Sequence, residues 1–126
     1  FVLGLLVPLN TQAQELTPET YVAADVAVRQ ITLNGMAERL ELLRSGLYTP
    51  EQEMAIDLAN QTAVQKAYGA NGTSSSTHAV YGSYFAKHIE QWLAENPDWR
   101  LRYINLQQEF DSLSMQLEAL RKETQP

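Results

Sequence analysis

The sequence predicts an all-α fold, a small antiparallel helical bundle of about four helices built from two αα-hairpins. Three observations carry the prediction. First, the same helix-start grammar occurs three times: Thr17-Pro18-Glu19, Thr49-Pro50-Glu51 and Asn96-Pro97-Asp98. Each places a capping side chain, a proline at the first helical position and an acid near the positive end of the helix dipole. Second, apolar residues step by four and three, which is the spacing of one helical face. Third, no run alternates with the period of two that a half-buried strand requires.

The first helix is expected over 18–45. Val22, Val26, Leu33, Met36, Leu40 and Leu43 form its seam, with Arg29 filling the one gap. Asn34-Gly35 could turn the chain, but the apolar register passes through it unbroken, so one continuous helix is expected. A glycine inside a helix costs about 1 kcal/mol relative to alanine, so Gly35 marks close packing or a kink. Gly46 is the stop. The second helix is expected over 50–68, with Gly69 as its stop. Met54, Leu58, Ala59, Ala63 and Val64 give it a small-residue face that lets a partner helix approach closely. A Gly/Ser-rich loop follows over 69–76.

The third helix is expected over 77–95. Its aromatic start over 79–85 tempts a strand assignment, yet Tyr81, Phe85, Ile89 and Trp92 continue at helical spacing. The fourth, over 97–121, has the strongest pattern: Trp99, Tyr103, Leu106, Phe110, Leu113, Leu117 and Leu120 share one coiled-coil-like seam. Gln108, Glu109, Asp111, Ser112 and Gln116 lie opposite. Short links between helices one and two, and three and four, make antiparallel neighbours. The domain reading is therefore one helical domain over 14–126, with hairpins at 17–69 and 77–121.

Residues 1–13 read as a signal peptide whose start lies before Phe1. Nine uncharged, mostly apolar residues precede a short polar segment, and Thr11 and Ala13 are the small residues of a cleavage site. The competing readings are an N-terminal strand or helix turn of the fold, or part of a longer anchor. The chain has no cysteine. It lacks the acylation site of a bacterial lipoprotein and the disulfides of most small eukaryotic secreted domains. The expectation is a bacterial protein, periplasmic or secreted, with no membrane span after signal cleavage. Asn60-Gln61-Thr62 and Asn71-Gly72-Thr73 match the glycosylation pattern by chance.

Net charge is −6 over 126 residues, and the nine basic residues do not cluster. A phosphate backbone needs a basic face to bind, so nucleic acid is not an expected partner. No metal or cofactor motif occurs. His78 and His88 are ten residues apart, about 15 Å along a helix, too far to share an ion; both read as helix-flank histidines. Glu53 and Asp57, like Glu38 and Glu41, read as solvated carboxylates rather than an acid–base pair. The run Ser74-Ser75-Ser76-Thr77-His78 lacks the strand and second glycine of a nucleophile elbow, and reads as a loop and cap. Asp25–Arg29 and Glu118–Lys122 are ordinary i,i+4 pairs.

The aromatic hairpin is the best candidate binding surface. Tyr81, Tyr84, His88, Trp92, Trp99 and Tyr103, together with Phe85, straddle the turn between helices three and four. Tyrosine and tryptophan present an apolar body with a polar tip, which suits recognition. The same spacing also suits the core of that hairpin, with Tyr84 as its most exposed member.

Leu16-Thr17-Pro18-Glu19-Thr20 and Tyr48-Thr49-Pro50-Glu51-Gln52 resemble the LTxxQ motif of a family of small, all-helical periplasmic stress proteins that act as chaperones or signalling inhibitors. The resemblance covers these two pentapeptides alone. The first lacks the final Gln, the second lacks the Leu, and helix capping explains both. The resemblance implies chaperone-like contact; it does not identify the family.

With no catalytic grouping, the function expected is protein–protein contact by an adaptor, an inhibitor or a chaperone-like binder. The contact would be with a partner, or with a second copy through the helical seams. The alternative is a binder of a small apolar or aromatic ligand near Trp92, Trp99 and Tyr84. A third possibility is an enzyme using His88 with an acid from another helix.

Overall fold

A computed structural model describes residues 16–124; the signal segment read at 1–13 lies outside them. The described residues form five helices and no strand: α1 Pro18–Ser45, α2 Pro50–Ala70, α3 Ser75–Tyr84, α4 Ala86–Glu95 and α5 Pro97–Thr124. The chain is all-α.

Two of the three helix starts are closed by reciprocal capping boxes. Thr17 Oγ1 accepts from Thr20 N at 3.2 Å, while Thr17 N donates to Thr20 Oγ1 at 2.9 Å. Gln52 N donates to Thr49 Oγ1 at 3.2 Å, and Thr49 N to Gln52 Oε1 at 3.2 Å. Each box satisfies two backbone N–H groups that the helix leaves unpaired. This is the local reason the two pentapeptides look alike. Gly46 ends α1 at φ 73°, a left-handed conformation that glycine adopts without steric cost.

Helix α1 runs unbroken through Asn34-Gly35. A Cβ on Gly35 would stand 2.2 Å from Asn60 Nδ2. The glycine therefore marks close packing of α1 on α2. Arg39 reaches Glu53 while Gly35 meets Asn60, so the two helices run antiparallel. Ile56 is the buried anchor of α2. This helix passes Gly69 and stops at Asn71, whose Nδ2 donates to the Ala67 carbonyl at 2.8 Å. The turn itself falls on Gly72, at φ 71°.

The single helix expected at 77–95 is two. Phe85, at φ −117° and ψ 26°, leaves the helical region and separates α3 from α4. Asn96 also differs from expectation: its Nδ2 donates to the Trp92 carbonyl at 2.8 Å and so closes the end of α4.

Helix α5 runs parallel to α1. Tyr103 meets Asp25 near the start of α1, and Arg44 meets Gln116 near its end. The core lies between these two helices: Leu33, Met36 and Leu40 pack with Leu106 and Leu113, and Val26, Leu117 and Leu120 close around them. The two apolar seams read from the sequence thus face each other. Helix α1 is the hub, with α2 and α5 along it and α3 and α4 over its first turns, where Val22 and Ala24 are fully buried. No helix among the described residues is long and apolar enough to cross a membrane.

Candidate functional site

Apart from Tyr84 and Phe110, the aromatic residues of α3 to α5 are divided among three places. The first is a ladder of rings at the N-terminal end of α1. Tyr68 meets His78 at 5.0 Å, and His78 stacks on Tyr21 at 4.0 Å and 5°. Tyr21 touches Tyr81 at 5.5 Å, Tyr81 stacks on Phe85 at 4.7 Å, and Phe85 meets His88 edge-on at 5.7 Å. Such contacts add to apolar burial. Gly82 makes room for this ladder, since a Cβ there would lie 2.5 Å from the Tyr21 hydroxyl. Burial pushes the hydroxyls of Tyr21, Tyr68 and Tyr81 above their ordinary value.

His78 is not the flank residue that its spacing predicts. It is buried, and its Nε2 lies 3.1 Å from the Tyr21 carbonyl oxygen, to which it donates. The loop over 71–74 turns α3 back onto the first turn of α1, which places His78 between two tyrosines. Tyr21 and Tyr68 carried no signal beyond their aromatic type, because they meet across three helices far apart in sequence.

The second place is the Trp92–Trp99 pair, 6.2 Å apart across the turn at Asn96, with the Arg102 guanidinium 4.5 Å above the Trp99 ring. The third is Tyr103. Its hydroxyl donates to Asp25 Oδ2 at 2.6 Å, and the Arg29 guanidinium lies 5.3 Å over its ring. Arg29 in turn pairs with Asp25 at 3.1 Å. Burial foremost, and then the bond to the Asp25 carboxylate, pushes the Tyr103 hydroxyl strongly up. Tyr103 is thus a polar tie between α5 and α1.

Glu53 and Asp57 are solvated in part, as read, but both also pair with Arg39. Arg39 Nε donates to both Glu53 oxygens at 2.8 Å, and its Nη2 reaches Asp57 Oδ1 at 2.5 Å. Tyr48 donates its hydroxyl to Glu53. Burial works against the charged form of Glu53, but the hydrogen bonds from Tyr48 and Arg39 outweigh it and hold the carboxyl below its usual range. The group clamps α1 to α2. Of the serine run only Ser74 is a cap, its Oγ accepting from Thr77 N at 3.3 Å; Ser75 and Ser76 open α3, and Gly69 and Ala70 belong to α2, so the loop expected over 69–76 narrows to 71–74.

His88 lies at the outer end of the ladder and His78 at its buried centre, so the two histidines do not converge. No group of three or more His, Cys, Asp or Glu among the described residues could hold a metal ion.

Exposed apolar side chains occur on several elements, Met54 and Leu58 on α2 and Leu101 and Met115 on α5 among them; Tyr84 is the most open at 80 %, and Val80 at 55 % and Phe85 at 42 % neighbour it in sequence around the break between α3 and α4. No protein-family model matches the chain, and neither a curated protein nor a solved structure does.

Proposed function

We propose that the chain is an exported helical protein that works by contact with another protein, through the surface formed by Val80, Tyr84 and Phe85. The observation that carries this reading is the exposure of Tyr84, 80 % open beside two further exposed apolar side chains. Single exposed apolar residues are ordinary, whereas neighbouring ones suit a recognition patch. Tyrosine is well suited to the centre of such a patch, having a large apolar face and only two torsions to fix.

The seams of α1 and α5 are less suited to the role, because they cover one another. Arg39 with Glu53 and Asp57, and Asp25 with Arg29 and Tyr103, form clamps between helices, which favours binding over catalysis as the working chemistry. Export rests on the apolar segment before residue 13, and Edman sequencing of the protein recovered from the cell envelope tests it. A mature N-terminus at Gln14 supports export, and an uncut segment retained in the cytoplasm counts against it.

Contact is tested with a photo-crosslinking residue at position 84, and at Glu51 as the control, in the full chain inside its native cell. The expected result is one stoichiometric adduct from position 84 only, abolished in a Val80→Ser background that keeps its helical circular dichroism. Equal yields from both positions would sink the assignment of this surface.

A further inference from the structure

We propose a second site, which takes a small amphiphile with one carboxylate head and an apolar tail, in the groove between α4 and the start of α5. The groove is about 740 Å³ in volume, and its lining includes Lys87, Glu90, Leu93, Arg100, Tyr103 and Ile104. That volume lies in the range that small-molecule sites occupy, roughly 300–1,000 Å³.

Charge selects the head group. The chain carries −6 overall, yet this groove presents two cations against one carboxylate. Arg29 and Arg39 are held in ion pairs, and Arg102 lies on Trp99. Lys87 and Arg100 form no ion pair with a described residue. A single carboxylate satisfies the excess of one positive charge. A multiply charged phosphate would be left under-compensated. Long cationic side chains also extend apolar stems along a groove while keeping their heads wet, which suits a ligand with both characters.

Shape and polarity select the tail. Ile104 is 47 % exposed on α5, and Leu93 faces it from α4. The Tyr103 hydroxyl is already committed to Asp25, so its ring serves as a wall and not as a polar contact. An alkyl chain covering Ile104 and Leu93 removes apolar surface from water at about 25 cal/mol per Å². Of the residues singled out in the sequence as a binding surface, only Tyr103 lines this groove. The site is independent of the Tyr84 contact surface.

The test is titration of the full chain with sodium laurate below its micelle concentration. Emission of Trp92 and Trp99, which sit at the same corner, reports binding, and amide chemical shifts locate it. Saturable binding is expected, with shifts confined to α4 and the first turns of α5. The Lys87→Glu/Arg100→Glu variant should bind at least tenfold more weakly with unchanged circular dichroism, and Ile104→Ser should also weaken binding. Dodecyltrimethylammonium, with the same tail and the opposite charge, should bind at least tenfold more weakly than laurate. Tyr84→Ala should bind laurate as the parent does. No response up to 1 mM laurate would overturn the proposal. So would full affinity in the charge-reversed variant, or equal binding of the cationic amphiphile.

Discussion

Polar side chains tie the helices together beside the apolar core, and two of them make stability depend on pH. An unfolded Glu53 binds its proton near 4.5, whereas the folded carboxyl, held by Tyr48 and Arg39, titrates lower. Unfolding therefore takes up a proton as the medium is acidified. The stability that this residue contributes is complete above 4.5 and is lost as pH falls through the folded value. Replacing Glu53 with Gln should remove this part of the acid sensitivity. At neutral pH it should cost about 1–2 kcal/mol, at or below the lower end of the range for a charged hydrogen bond, because the Glu53 side chain is 31 % exposed and Asp57 still holds Arg39. Urea melts at pH 7 and pH 4 check it, and equal acid slopes in parent and variant would contradict it. Tyr103 contributes on the alkaline side, where the hydroxyls of Tyr21, Tyr48, Tyr68 and Tyr81 are also pushed up. Its proton is lost near 10.0 in the unfolded chain and retained beyond that in the fold. Unfolding then releases the proton, so stability should fall as pH rises past 10. A Tyr103→Phe variant should show a shallower alkaline decline, and ultraviolet tyrosine titration should show one phenol ionising only as helicity disappears.

At the scale of elements, what could be read from the sequence and what could not have different physical origins. The starts of α1 and α2 were legible because a capping box is local: Thr17 with Thr20, and Thr49 with Gln52, lie within one turn. The seam of α5 was legible for the same reason, since helical periodicity needs no knowledge of a partner. The division of α3 from α4 was not. Phe85 N still donates to the Tyr81 carbonyl and Ile89 N to the Phe85 carbonyl, so the apolar spacing carries across the break. Asn96 misled because its amide can serve either adjoining helix end, and Trp92 claimed it. The aromatic set was legible as residue types but not as a site, because Tyr21 and Tyr68 join it only through tertiary folding, and Trp92, Trp99 and Tyr103 lie elsewhere. Gly35 was ambiguous between packing and kink, and the contact with Asn60 decides it. This makes a test of the α1–α2 interface. Alanine at 35 gains about 0.5–1 kcal/mol of helix propensity, but it drives a methyl group into the Asn60 amide, an overpacking cost of about 1–3 kcal/mol. The single Gly35→Ala variant should lose about 1 kcal/mol. With Asn60 also replaced by Ala the clash is gone, and Gly35→Ala should then stabilise. The reversal of sign, read by a double-mutant cycle in urea, measures the close approach; a stabilising Gly35→Ala in the parent background would deny it.

The whole molecule is arranged around α1, and this decides which apolar surfaces remain available to anything else. A seam of seven residues on α5 would, taken alone, suit a coiled-coil partner. It is instead the cover of α1: Leu106 and Leu113 are buried against Leu33, Met36 and Leu40, while Phe110, between them in the same seam, is 42 % exposed at the edge. The seam thus holds positions of unequal consequence, and an aspartate scan along it separates an internal core from an external interface. Leu113→Asp places an unpaired charge where the side chain is 8 % exposed. The desolvation cost and the lost packing each amount to a few kcal/mol, a large share of the roughly 5–15 kcal/mol that holds a domain of this size. The isolated chain should lose its helical circular dichroism and elute as an expanded species. Phe110→Asp can keep its charge in water and should cost no more than about 1–2 kcal/mol, leaving a folded protein. A seam made for a partner would give the opposite pattern. Both variants would then keep the free chain folded, and both would abolish association, because the burial that each disrupts would exist only in the complex. Circular dichroism and size-exclusion profiles of the two variants discriminate between these patterns. The first pattern makes the buried positions of the α5 seam part of the core, so that a partner binds through residues exposed outside it, as those around the α3–α4 break are.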